Sequence, residues 1–393
     1  MLAATVRVTR DLDAAEESVQ DAYVAALEAW SRDGVPARPG AWLTTVARRI
    51  ALNAMARRRT LQAKLPLLLE PEAIEMDEPP EDATIPDDRL RLVFTCCHPA
   101  LAREAQVALT LRLVCGVATP DVAHAFLVSE PAMAARITRA KKKIAAARIR
   151  YAVPAAEELP ARLDAVLTVI HLLYTTGHTA PAGETLVREE LTARALHLAR
   201  MLHALLPAER EAAGLLALLL VHEARRATRT DAAGRMLRLA EQDRGAWDRG
   251  LIAEADALLV RALRAGPPGR FLLQAAIAAM HAQAPAHDET DWPQILALYD
   301  ELLRVWPSPV VALNRAVALA MVEGDRPALA AVEALERDGR LAGYRYLHAT
   351  KADLLHRLGR DAEAAAAYRA ALALTDNAAE RAFLAGRLGA EEA

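Results

Sequence analysis

Aromatic residues make up only 4% of this 393-residue chain, although 53% of it is hydrophobic. Alanine and leucine supply the difference. Strands draw on aromatic and β-branched residues, so this composition disfavours sheets and favours helices. No long alternating β-branched run is present. No apolar run reaches the roughly 18 residues that span a bilayer; Ala212 to Val221 falls short. The opening MLAATVRVTRDLD lacks the apolar core of a secretory signal, so a cytoplasmic location without membrane contact is expected. Cysteine is scarce, with three residues. Cys96-Cys97-His98 lacks the loop that lets two thiolates face one zinc, and Cys115 has no partner nearby in sequence, so all three read as small buried hydrophobes and no metal is expected. The chain has no Walker loop, no G-x-S-x-G and no H-E-x-x-H. His171, His178, His197, His203 and His222 are scattered along helical patterns. His197 could approach Glu190 or His203, but nothing in the sequence fixes such a cluster. The expectation is a protein without enzymatic activity and without a cofactor.

What is present is a segregation of charge beneath a net charge of -3. Residues 1–64 carry ten basic and seven acidic side chains, and residues 65–91 carry two basic and nine acidic. Residues 92–150 carry nine basic and three acidic, and the remainder 27 basic and 32 acidic. Two basic modules joined by an acidic tether suggest nucleic-acid contacts at two places. The division that follows is a helical module at 1–64, a Pro-rich acidic linker at 65–87, a second helical module at 88–150 and a long helical region at 151–393.

Asp11 to Trp30 reads as an amphipathic helix. Ala15, Val19, Ala22, Tyr23, Ala26, Leu27 and Trp30 form its apolar stripe; Asp13, Glu16, Glu17, Gln20 and Asp21 form an acidic face. After the loop SRDGVPARPG, Ala41 to Arg59 forms a second helix, with Trp42, Val46, Ile50 and Met55 or Ala54 inward and Arg48, Arg49, Arg57, Arg58 and Arg59 outward. Arginines beside an aromatic ring suit single-stranded DNA, with guanidiniums on phosphates and rings on bases. Trp42 serves equally well as a core residue.

The stretch Thr119 to Arg150 reads as helix, turn and helix. Thr119 is placed to cap the first helix, with Pro120 and Asp121 in its first turn and Val122, Ala123 and Phe126 on its apolar side. Leu127-Val128-Ser129 forms the turn, and Ser129 is placed to cap the second helix. There Met133, Ile137, Ala140 and Ile144 share one buried face, while Arg136 to Arg150 carries seven basic residues and no acidic one. A helix-turn-helix lays its second helix in the DNA major groove, which makes Glu130, Ala132, Met133, Arg136 and Arg139 the reading positions and Lys141, Lys142 and Lys143 phosphate contacts.

Residues 151–393 are helical in pattern, with helices expected near 158–174, 184–205, 209–225, 247–264, 270–283, 293–305, 309–323, 327–337, 344–357, 361–374 and 378–388. Gly324 and Gly359 each close a first helix, 35 positions apart, and Ala364, Tyr368 and Ala371 sit at tetratricopeptide offsets. Tyr299, Leu302 and Pro307 fit the same frame. The expectation is an all-α protein ending in a tetratricopeptide-like α-solenoid, which would present a surface to a protein or peptide partner.

AEESVQDAYVAALEAW and PGAWLTTVARRIALNAMARRR together resemble region 2 of bacterial sigma factors of the extracytoplasmic-function class. DDRLRLVFTCCHPAL and ALTLRLVCGVATPDVAHAFLVSEPAMAARITRAKKKI resemble region 4 of the same class. CCHPAL and the pieces beyond it, such as EQDRGAWDRGLIAEA and PSPVVALNRAVALA, resemble the subgroup with a long helical C-terminal extension. The resemblance implies that Asp13, Glu16, Glu17, Gln20 and Asp21 dock on the β' clamp of core RNA polymerase. It implies that Trp42, Arg48, Arg49, Asn53, Arg57 and Arg58 melt and hold the -10 element, and that Glu130 to Ile144 reads the -35 element of promoter DNA. Two departures stand out. The family's region 2 usually has further residues before the position of Leu2, so either the start lies further upstream or part of the first helix is lacking. Where the extension commonly reads Asn-Glu-Gly-Tyr, this chain has Thr175-Thr176-Gly177-His178. The leading expectation is a promoter-specificity subunit regulated in cis by its C-terminal region. The alternative from another class is a dimeric helix-turn-helix repressor with a helical sensor domain, against which the basic, Trp-bearing helix at 41–59 and the acidic tether both argue.

Overall fold

A computed structural model describes residues 1–64, 88–125, 128–155 and 157–392. The expected linker at 65–87, the turn residue Leu127 and the apolar Phe126 lie outside the described residues. The chain divides into two compact units, Met1–Val169 and Ile170–Ala393. The boundary falls inside a helix and not at residue 150.

In the first unit, α1 (Leu2–Thr9) ends where Arg10 turns left-handed, at φ 53°. Asp11 then caps α2 (Leu12–Asp33), its carboxylate accepting from the Ala14 amide at 2.9 Å. α3 (Pro39–Lys64) packs back on α2. The interface is built on small residues, with Ala22, Ala26 and Ala47 buried alongside Leu43 and Val46. This narrows the apolar stripe expected on α2. Val19 and Trp30 are half-buried, while Tyr23 at 52% and Leu27 at 75% are exposed. Helices in contact through alanine approach closely, and larger side chains one position round the helix are left outside the seam. On α3, Met55 faces partly inward and Ala54 is exposed.

α4 (Asp88–Cys96) is followed by α5 (Arg103–Leu109), which continues as a π-turn over Thr110–Val114 before Gly116 takes φ 67°. All three cysteines are buried, and Cys97 Sγ lies 3.6 Å from the Thr110 hydroxyl. Burial pushes the Cys97 thiol up to about 12. α6 (Thr119–Ala125) packs on α7 (Glu130–Ala146). Thr119 is the first helical residue of α6 and not its cap, and Ser129 occupies the cap position of α7 without a side-chain hydrogen bond. α1 also touches α4, so the modules on either side of the linker belong to one body. The Tyr151 hydroxyl ties them together, donating toward the carbonyls of Ala3 at 2.8 Å and Asp88 at 2.6 Å.

α8 (Leu159–His178) crosses the boundary between the units. In the second unit, α9 (Glu189–Leu205), α11 (Arg249–Arg264) and α12 (Arg270–Gln283) all pack on α10 (Arg210–Ala224). α10 is buried continuously from Ala212 to Val221, as its unbroken apolar run demands. Gly214 lets α12 come close, because a Cβ there would lie 2.7 Å from the Leu272 amide nitrogen. α13 (Trp292–Val305), α14 (Pro309–Glu323), α15 (Asp325–Asp338), α16 (Arg345–Arg357), α17 (Asp361–Ala373) and α18 (Ala378–Glu392) follow, each packed on the next. Gly324 and Gly359 follow α14 and α16 with φ 94° and 72°, and Ala364, Tyr368 and Ala371 are buried at the expected offsets.

Two features depart from a simple helical array. Residues 226–246 form three short 3-10 turns with a bridge between Thr230 and Met236. α9 begins at Glu189 and not near 184, because β1 (Ala182–Gly183) pairs in parallel with β2 (Asp376–Asn377). Asn377 fastens this closure: its amide donates to the Thr185 carbonyl at 2.9 Å, and its side-chain oxygen caps α18 by accepting from Ala379 and Glu380. The last helices are thereby joined to the loop after α8.

His171 packs edge-on to Phe271 and His281 edge-on to Trp292. Burial, then nearby arginines, lowers each to about 4 from 6.5. Below pH 6.5 the unfolded chain binds protons that the folded chain refuses, so stability present above that pH is lost as pH falls toward 4. Each histidine can contribute up to about 3 kcal/mol to that loss. Chemical unfolding followed from pH 7 to 4 should show a steep decline, and His281→Gln should flatten it.

Candidate nucleic-acid interface

The outward face of α3 is a line of polar side chains one helical turn apart. Arg49, Asn53 and Arg57 recur at i, i+4 and i+8, with Arg48 beside them, and all four are exposed. The side chain of Arg58 lies outside the described residues. Trp42 is half-buried and packs against Trp30, with ring centroids 5.5 Å apart. It therefore belongs in part to the α2–α3 core. Leu52, an exposed apolar residue on this helix, escaped the sequence reading.

On α7 the residues expected to read bases divide sharply. Met133 is fully buried with Ile137, Ala140 and Ile144, so it holds the helix on its module and cannot reach a groove. Its recurrence with those three residues was the signal for that role. Glu130, Ala132 and Arg139 are exposed and Arg136 is half-exposed. Lys142 and Lys143 are exposed, as are Arg148 and Arg150 beyond the helix. Between α5 and α7 runs an open groove of about 340 Å³, in which Arg136, Arg139 and Lys143 face Glu104. Its cationic wall can receive a phosphate backbone, which attracts such side chains whatever the base sequence.

Lys141 behaves differently. Its ammonium turns away from Lys142 and Lys143 and donates to Asp13 at 3.0 Å and to Glu16, both on α2. Only 13% of the Lys141 side chain and 17% of the Glu16 side chain are exposed, against 73% for Asp13. Burial works against the charge on Lys141, but its hydrogen bonds to Glu16 and Asp13 outweigh that and raise its pKa. Arg112 adds a second cation, 3.6 Å from Glu16. Of the acidic face expected on α2, then, Asp13 and Glu16 are engaged with the second module, while Glu17, Gln20 and Asp21 are exposed. Next to those three, Tyr23, Val24 and Leu27 make an exposed apolar patch that the sequence reading had placed in part in the core.

Replacing Lys141 with Met should leave Glu16 without its nearest cation. The contact with the exposed Asp13 counts for little, and loss of the enclosed one costs about 1–2 kcal/mol. Amide exchange on the full chain should then accelerate by roughly tenfold in both α2 and α7. Acceleration confined to α7 would show that the clasp does not join the modules.

Comparison with known proteins gives four findings. Residues 2–60 match the family model of sigma-70 region 2. Residues 162–263 match a family of unknown function, DUF6596. The uncharacterized protein R00370 of Rhizobium meliloti (strain 1021) is 44% identical over 388 residues, which cover 98% of this chain and 91% of that one. The crystal structure of the yeast Tom70 aligns over 97% of this chain and 80% of its own, with a TM-score of 0.39 at 12% identity, a likeness too shallow to bear on fold or function.

Proposed function

We propose that the chain, which belongs to one family with the uncharacterized protein R00370 of Rhizobium meliloti, is a sigma-70 family member of the extracytoplasmic-function class that binds core RNA polymerase and directs promoter recognition and transcription initiation. The observation that carries this reading is the exposed line Arg49, Asn53 and Arg57 on α3, inside the matched region 2. Guanidiniums at that spacing follow a phosphate backbone, and Asn53 between them offers donors and an acceptor to an unstacked base. Trp42 joins them on the surface that holds the -10 element.

α6 and α7 act as a helix-turn-helix on the -35 element. Glu130, Ala132, Arg136 and Arg139 face base edges, while Lys142 and Lys143 meet phosphates. The work is binding throughout, with no covalent step. Polymerase docks on α2 through Glu17, Gln20 and Asp21 and the neighbouring patch of Tyr23, Val24 and Leu27. An apolar centre with a polar rim is the anatomy of a specific protein interface. The clasp between Lys141 and Asp13 and Glu16 gives that docking a second consequence. A clamp that takes those carboxylates frees Lys141 for DNA, so polymerase binding and promoter binding reinforce one another. The second unit regulates these steps in cis and offers its helical array to a protein or peptide partner.

Run-off transcription with purified core polymerase tests the assignment, comparing the full chain with a chain ending at residue 153. Promoter-dependent transcripts from either form are expected, and silence from both would refute it. Arg136→Ala with Arg139→Ala should reduce upstream-element binding by about tenfold or more while core polymerase binding survives. Leu27→Asp addresses the docking patch separately. At so exposed a position it should change unfolding stability by less than about 0.5 kcal/mol. It should weaken core polymerase binding by about tenfold or more.

A further inference from the structure

Polar and aromatic side chains converge inside the second unit, where β1 and β2 close it. Tyr174 and His178 come from α8, and His222 and Arg225 from α10 and its C-cap. The rings form a chain, with centroids 5.5 Å apart between Tyr174 and His178, 5.2 Å between His178 and His222 and 6.3 Å between Tyr174 and His222. Arg229 closes one side, donating to the His178 carbonyl and to the Thr179 hydroxyl. Arg244 lies nearby, anchored by donation to the carbonyls of His281 and Ala284. His178, His222, Arg225 and His281 are surrounded by protein, yet each keeps some accessible surface. Together they border one half-buried polar space.

The charges of this space do not balance. Asp288 acts on Arg244, and two further carboxylates nearby, Glu223 and Glu380, already have partners. Glu223 accepts from the Tyr174 hydroxyl at 3.2 Å and from Arg226 at 2.7 Å. Glu380 is held by the Tyr346 hydroxyl and by Arg345 at 2.9 Å. Among the described residues the Arg225 side chain has no hydrogen bond and no ion pair, and its Nε is sealed from solvent without an acceptor. Nδ1 of His178, of His222 and of His281 is sealed and unpartnered as well. Of the groups that act on Arg225, Arg229 and Arg244 repel it, and Tyr174 favours its charge. Burial and then Arg229 lower its pKa to about 10, and it remains a cation at neutral pH. An enclosed, uncompensated guanidinium is costly, and such groups in folded proteins are normally paired.

We propose that this space is a binding site for a small anion, a carboxylate or a phosphate, held by Arg225 with His178 and His222 as neutral hydrogen-bonding partners. The guanidinium supplies charge and paired donors suited to either anion. The His178 and His222 rings, tilted 51° to one another, offer faces against which an organic part of the ligand can lie. The site lies mainly within the stretch that matches the family of unknown function, and it stands whether or not the chain acts at promoters.

Thermal unfolding of the full chain tests the proposal at fixed ionic strength, with inorganic phosphate in one arm, acetate and benzoate in the other, and chloride as reference. At least one arm should raise the melting temperature along a saturating curve, and the arm that does so identifies the anion. Arg225→Met should shift that curve to concentrations at least about tenfold higher. Without added anion it should melt no lower than the parent chain, because it loses an uncompensated charge. Should Arg225→Met fail to fold, His222→Gln replaces it, with the same weakening expected of the arm that saturates. No rise beyond chloride in either arm, or an unchanged curve in the variant that folds, would overturn the site.

Discussion

Close approach between helices is the constraint on which both units rest. A chain with few aromatics cannot fill wide gaps between helices, so it brings backbones together over alanine and glycine. On the α2–α3 seam this role falls to Ala22, Ala26 and Ala47. Between α10 and α12 it falls to Gly214, where even a methyl group would meet the Leu272 backbone. Such seams are narrow, and that narrowness decides what remains outside. Tyr23, Val24 and Leu27 are exposed because the alanine ridge beside them is the contact. The surface available to a partner is thus a by-product of how the core is made.

Charge is used in two ways in the same molecule. In the first unit, opposite charges on separate modules meet, and Lys141 lies between Asp13 and Glu16. In the second unit, like charges gather, and Arg225 faces Arg229 and Arg244 without a carboxylate of its own. The first arrangement holds parts together until something competes for the pair. The second is held together by its surroundings, through packing on α10 and the β1–β2 closure, and leaves an interaction unmade.

Much of this architecture was legible in the sequence. The helices of the second unit were readable because apolar positions recur at helical spacing and because Gly324 and Gly359 mark equivalent ends. The basic line on α3 and the buried face of α7 were readable for the same reason. Met133 shows where two readings of one residue competed, and its place in the repeat with Ile137, Ala140 and Ile144 settled the matter in favour of burial. The clasp was not legible, since nothing local distinguishes Lys141 from Lys142 or Lys143, and its partners are more than a hundred residues away. The convergence of His178, His222 and Arg225 was hidden similarly. Each lies on an ordinary helical pattern, and only the packing of α8 against its neighbours brings them to one place.

The pairing of Ala182 with Asp376 has a temporal side. The hydrogen bond from Asn377 to Thr185 joins residues 192 positions apart, so it cannot form until nearly the entire chain has been synthesised. Contacts of such long range are slow to form, and domains tend to fold in the order in which they leave the ribosome. The first unit, with its basic helices and its clasp, will therefore be complete while the second is still an open string of helix pairs. For that interval the nascent chain carries the exposed basic face of α3 and the Lys141 clasp without the β1–β2 closure.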